Sequence, residues 1–255
     1  MMLMNRKKST AKAPDKNIHK FNSRAERNLD LLRKAAIKLE ELCEKLVFVG
    51  GCTTSLLITD PVAPDVRHTT DVDCITDVIS LNAFYKIEKE LRKKGFQQNI
   101  EKTDNVICRW KHGDIILDVM PTDEKTLRST NKWYKQAVNN SIKTKLSDNL
   151  IVKHITAVYF LATKLEAFND RGNNDYLGSH DLEDIVAVID GRAEIIDEIS
   201  KSDGTVKSYL ANAFQELTKN QHFLDALPGH LNYGQIQQER AQIVLARIQT
   251  IAKLT

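Results

Sequence analysis

The chain of 255 residues is 42% hydrophobic and 28% charged, enough apolar material for one large domain or two small ones beneath a solvated surface. With 37 basic against 34 acidic side chains, the net charge of +3 does not announce a nucleic-acid or anionic-membrane binder, so local charge must decide. No apolar run reaches membrane-spanning length, and Cys43, Cys52, Cys74 and Cys108 lack C-x-x-C spacing, which reads as buried thiols of a reducing cytoplasm rather than a disulfide or zinc framework.

Residues 1–22 are basic and polar without the apolar centre of a signal peptide, and read as a mobile tail. From Arg24 to Lys45, Leu29, Leu32, Ala36, Leu39, Leu42 and the following Leu46 recur at helical spacing and predict an amphipathic first helix. "LVFV" predicts a short buried strand that runs into Gly50 and Gly51, after which Thr53, Thr54 and Ser55 suit the start of a helix. The loop "TDPVAPDVRHT" leads to a strand carrying Asp71 and Asp73, and "LNAFYKIEKELRKKG" is a helix closed by Gly95. "NVICRW" and "DIILDVM" read as a hairpin with Gly113 in its turn. The stretch 126–147 holds five basic residues and no acidic one around Trp133 and Tyr134, and reads as a short helix and a strand. From Val152 onward the signals are almost all helical. The expected class is therefore α/β in the α+β sense, a mixed-sheet core over 23–150 followed by a helical half over 151–255.

Asp71 and Asp73 alternate with Val72, so both carboxylates project from one strand face. Two anions that close repel, and Asp118 in "DIILDVM" adds a third carboxylate to the same predicted sheet. Such clustering is costly without cations, whereas Mg²⁺ seeks oxygen ligands from a few carboxylates together with substrate phosphates. A solvent-facing strand face is the bland account of the D-x-D pair. A calcium loop is excluded, because positions five, six and twelve counted from Asp71 are Ile75, Thr76 and Asn82. Gly50 and Gly51 allow backbone N–H groups to approach a phosphate, or simply make a turn.

The order strand, G-G, helix, D-x-D strand, later lone Asp resembles the nucleotidyltransferase superfamily with the polymerase-beta-like core. Through "FVGGCTTSLLITDP", "RHTTDVDCI" and "YFLATKLEAFNDRGNNDYLGSHDLEDIVAVIDGR", the chain resembles more closely the AbiEii/AbiGii-type toxin branch, over about residues 46–192. The resemblance implies that Gly50 and Gly51 seat nucleotide phosphates, that Asp71 and Asp73 ligate Mg²⁺ or Mn²⁺, and that Asp118 is a third ligand beside the acceptor hydroxyl. It also matches Lys164 and Asp184 to a lysine and an aspartate on successive helices of the C-terminal half. A nucleoside triphosphate would be the substrate, RNA such as a tRNA 3′ end, a protein or a small molecule such as an antibiotic the acceptor, and a cognate antitoxin a partner. Cys52 and Thr53 stand where many superfamily members have serine, and the long loop to Asp71 brings Arg67, His68 and Thr69 forward as pocket candidates, with Thr53 and Arg67 as nucleotide contacts.

Each candidate has a structural alternative. Lys164 lies in a strongly apolar helix and either contacts phosphate or snorkels. Asp184 follows Ser179 and Asp181, either of which suits a helix N-cap. Arg67 serves equally as an ion-pair partner. Trp133 and Tyr134 either stack a base or anchor the core. "SHDLED" with His154 raises a metal phosphohydrolase of the HD type, and a non-catalytic RNA- or protein-binding module on the same core is the third reading.

Overall fold

The computed structural model describes residues 23–78, 80–98, 108–123, 131–231 and 237–254. Its elements are α1 (Arg24–Leu39), β1 (Val47–Val49), α2 (Thr54–Leu57), β2 (Asp71–Thr76), α3 (Leu81–Lys93), β3 (Gln97–Gln98), β4 (Arg109–His112), β5 (Ile115–Pro121), α4 (Tyr134–Asn139), β6 (Ile142–Ser147) and β7 (Leu150–His154), then α5 (Ala157–Arg171), α6 (His180–Gly191), α7 (Ile195–Ser200), α8 (Gly204–Lys219), α9 (Gln221–Ala226) and α10 (Gln237–Ile251). The strands form one mixed sheet in the order β3-β4-β5-β2-β1-β7-β6. β2 runs parallel to β5 and antiparallel to β1, while β1 runs parallel to β7. This is the expected mixed-sheet core with a helical C-terminal half. No helix of the described residues is long and apolar enough to cross a membrane.

The alternation of side chains sorts the sheet between two apolar layers. Phe48, Val72, Cys74, Trp110, Leu117 and Val119 pack with α1 and α3 on one face. Val47, Val49 and Ile75 join the helical half on the other. Asp71, Asp73, Arg109 and Asp118 share the parity of this second group, so their side chains belong to the face turned toward α5 and α6.

Four details differ from the sequence expectation. The first helix ends at Leu39 and continues as a 3₁₀ turn over Glu40–Lys45; Glu40 takes φ 51° while Leu42 and Cys43 stay buried. A 3₁₀ turn over Gly51–Thr53 precedes α2, which lasts one turn, because Arg192 donates to the Leu57 carbonyl at 2.8 Å and the N–H groups of Thr59 and Asp60 turn to the Gly191 carbonyl. The last strand runs to His154, beyond the boundary drawn at residue 150, and pairs with β1 through Phe48 and His154. β3 was not foreseen; it is two residues long, too short for a periodic signal. The β4–β5 hairpin with Gly113 at φ +56° follows the expectation, although 105–107 of "NVICRW" lie outside the described residues. The tail over 1–22 lies outside them too, as does 124–130 of the basic stretch.

Candidate metal and nucleotide site

Asp73 on β2 and Asp118 on β5 are register partners on adjacent parallel strands, and Asp71 lies two residues earlier on the same face. Carboxylate oxygens from all three lie within 4.8 Å of one another. Thr69 donates through its hydroxyl to Asp71 Oδ1 at 2.9 Å and so fixes that side chain. Asn28, buried in α1, accepts the Thr69 N–H at 3.1 Å and donates to the Arg67 carbonyl at 2.8 Å, pinning the approach to β2 against the helix.

The cation that the sequence demanded between the aspartates is Arg109. Its Nε and Nη2 donate to the two oxygens of Asp118 at 2.9 and 2.8 Å, and Nη2 reaches Asp71 Oδ2 at 3.4 Å. Asp73 bears the remaining repulsion. Burial, followed by the charges of Asp71 and Asp118, pushes its carboxyl up to about 7, against the opposing pull of Lys164 and Arg171.

Gly50 stands at φ 69°, ψ −166°, a conformation open essentially to glycine alone. A Cβ there would collide with the Asp73 carboxylate, and one on Gly51 would collide with the Arg67 guanidinium. The glycine pair thus lets the chain pass between these two side chains. Thr53 and Cys52 are wholly buried; the Thr53 hydroxyl donates to the Gly50 carbonyl at 2.8 Å and the Cys52 thiol to the Val49 carbonyl at 3.3 Å. Neither side chain is presented to a ligand, and Thr53 stands at the N-cap of α2 without a side-chain capping bond.

Facing the triad from the helical half is a chain of alternating charges. Arg67 grips Asp184 with two bonds of 2.9 Å, Lys164 Nζ lies 2.7 Å from Asp184 and 2.9 Å from Asp181, and Arg171 grips Asp181 at 3.1 to 3.3 Å. Lys164 is therefore not snorkelling: its ammonium sits between two carboxylates and is close enough to the triad to oppose the rise at Asp73. Burial pulls that ammonium toward neutrality, but Asp184 and Asp181 outweigh burial and hold its pKa above the usual lysine value. Burial likewise opposes ionisation of Asp181, and Lys164 and Arg171 overcome it. Ser179 is the N-cap of α6, accepting from the Leu182 N–H at 3.3 Å, which leaves Asp181 and Asp184 free to turn inward. His68 is exposed.

Beside the triad, a cavity of about 230 Å³ opens between β5, α4 and α5, bordered by Met120, Asn131, Tyr134, Glu166, Asp170 and Arg171. Met120 follows Asp118 by one strand period, so the cavity continues the same face. Trp133 instead anchors the core, its ring 5.0 Å from that of Tyr209 and 6.3 Å from that of Tyr159. His154 has both ring nitrogens engaged, by Thr144 Oγ1 and the Ile155 carbonyl at 2.8 Å each, so it is not free to ligate a metal as the HD-type reading required. All four cysteines are buried free thiols.

Sequence reasoning missed Arg109, Arg171 and Asp181. Arg109 was within reach: a two-residue turn at Gly113 and Asp114 sets His112 against Ile115 and thereby Arg109 against Asp118. Arg171 follows Lys164 by seven residues, two helical turns along one face. No protein-family model matches the chain, and no curated protein matches it in sequence.

Proposed function

We propose that the chain is a metal-dependent nucleotidyltransferase that moves a nucleoside monophosphate from a nucleoside triphosphate to a hydroxyl of RNA or protein. The observation that carries this reading is the meeting of Asp71, Asp73 and Asp118 within 4.8 Å on the sheet face turned to the helical half. Three hard oxygen donors fit Mg²⁺ or Mn²⁺ and fit no softer ion as well. A divalent cation held there would supply electrostatic stabilisation of the attacking oxygen and the departing pyrophosphate. Asp71 and Asp73 on β2 would hold the ion with Asp118 as third ligand, and Asp118, one strand over, would also orient the acceptor hydroxyl or take its proton. Gly50 brings the backbone against Asp73 without a side chain between the strand end and a phosphate. The Asn131 and Tyr134 cavity offers a ring and polar groups for the base or the acceptor. With the motif order, the arrangement supports membership of the AbiEii/AbiGii-type branch, hence a growth-inhibiting toxin with a cognate antitoxin.

The test is incubation of the purified chain with labelled triphosphates, MgCl₂, tRNA and cell extract, read by mass spectrometry of the RNA and protein. The expected product carries one added nucleotide mass, pyrophosphate is released, and Asp71→Ala with Asp73→Ala abolishes both. Labelling that persists unchanged in that double variant would remove the triad from the mechanism. The occupation of Asp118 by Arg109 favours one second reading, a non-catalytic RNA-binding module, which would instead bind RNA with a steep salt dependence and no Mg²⁺-dependent nucleotide binding.

A further inference from the structure

We infer that Arg109 is a resident counter-ion of the carboxylate triad, holding Asp118 and Asp71 together in place of a divalent cation and moving off them when one binds. The inference rests on the reading of the triad as a metal site. It adds a positioning residue that orders the ligands beforehand and competes with the metal for them.

Three observations converge. Arg109 engages both oxygens of Asp118 and one of Asp71, the same atoms that hard-ion coordination needs, so guanidinium and cation exclude one another. Its position is built into the hairpin: Arg109 and Asp118 are register partners on β4 and β5, which places the guanidinium over the carboxylate with no rearrangement of the chain. The pair is also openable. Arg109 is 21% exposed on the second strand from the sheet edge, whereas Lys164, between its two aspartates, is 9% exposed and enclosed. A guanidinium displaced from Asp118 stays beside the site, where its planar fork suits a phosphate oxygen pair.

The experiment titrates the full chain with MgCl₂ alone at pH 8, by calorimetry and by thermal melting, in wild type, Arg109→Gln and Arg109→Lys. Removing a competitor that makes two charge-assisted bonds should tighten Mg²⁺ binding about tenfold or more in the glutamine variant. Without Mg²⁺ that variant should melt below wild type, and with Mg²⁺ it should gain more. A purely structural arginine predicts the reverse, weaker metal binding on its loss. The lysine variant, with a single-point grip, should fall between, and stands as the measurement if the glutamine variant does not fold. Wild type binding Mg²⁺ with the variants no tighter overturns this inference and leaves the metal site standing. Binding by the glutamine variant where wild type shows none supports it. Absence of binding in all three overturns both.

Discussion

Replacing Lys164 by methionine keeps the length and apolar contacts of the stem and deletes only the ammonium. In the folded chain that ammonium lies 2.7 Å from Asp184 and 2.9 Å from Asp181, and those carboxylates are 1% and 9% exposed. Removing one partner of a buried ion pair costs about 3–5 kcal/mol, mostly because the other charge is left buried without compensation. Here Asp184 keeps Arg67 and Asp181 keeps Arg171, so the lower end, about 3 kcal/mol, is expected. For a chain of this size that lowers the melting temperature by about 6–12 °C. Circular dichroism melts and urea titration of Lys164→Met against wild type measure it. The exposed Lys34–Asp30 pair on α1 is the control, since Lys34→Met should leave the melt nearly unmoved. A Lys164→Met melt within about 2 °C of wild type would refute the argument, because the ammonium could then not be the tie between α5 and α6.

The remaining predictions concern the sheet side of the site. Asp73, carried from 3.8 to about 7 by burial and by its neighbours' charges, holds a proton in the folded metal-free chain where the unfolded chain has lost it. Its contribution to stability is therefore fully present below about 4 and lost as pH rises through about 7, a swing of up to about 4 kcal/mol. Mg²⁺ must displace that proton, so its apparent affinity should fall about tenfold per pH unit below 7 and level off above, a slope that Asp73→Asn abolishes in calorimetric titrations across pH 5.5 to 8.5. Gly50→Ala should destabilise by about 2 kcal/mol or more and weaken Mg²⁺ binding, since it combines a strained φ with a collision at Asp73. Gly113→Ala, at φ +56° with nothing near its Cβ, should cost only about 1 kcal/mol and leave Mg²⁺ binding alone; equal effects in the two variants would refute the role given to Gly50.

The sheet face of the site was legible because its period is two: once 71–76 is a strand, Asp71 and Asp73 must share a side, and Val72 and Cys74 fix which layer lies opposite. Asp118 between Leu117 and Val119 obeys the same rule on β5. The helical side was less legible, because its pairings depend on where separate helices pack. Nothing in "SHDLED" says that Asp181 faces Arg171 and Lys164 while Ser179 takes the cap. The short α2 and the broken end of α1 were missed for the same reason: long-range bonds from Arg192 to Leu57 and from Lys94 to Glu40 and Glu41 lie at those helix ends, outside any local pattern.

The distribution of counter-charge separates the two sides of the cleft. Asp181 and Asp184 each hold two cationic partners, so their ion chain is complete and serves to lock α5, α6 and the Arg67 segment together. Asp71, Asp73 and Asp118 have Arg109 among them, and its bonds reach only two of the three. Adding another cation to the first group would bring repulsion. Adding one to the second relieves the repulsion that raises Asp73 and satisfies oxygens that Arg109 cannot reach. This difference in compensation, more than the D-x-D pattern itself, is why the triad rather than the Lys164 cluster is the place where a divalent cation would bind.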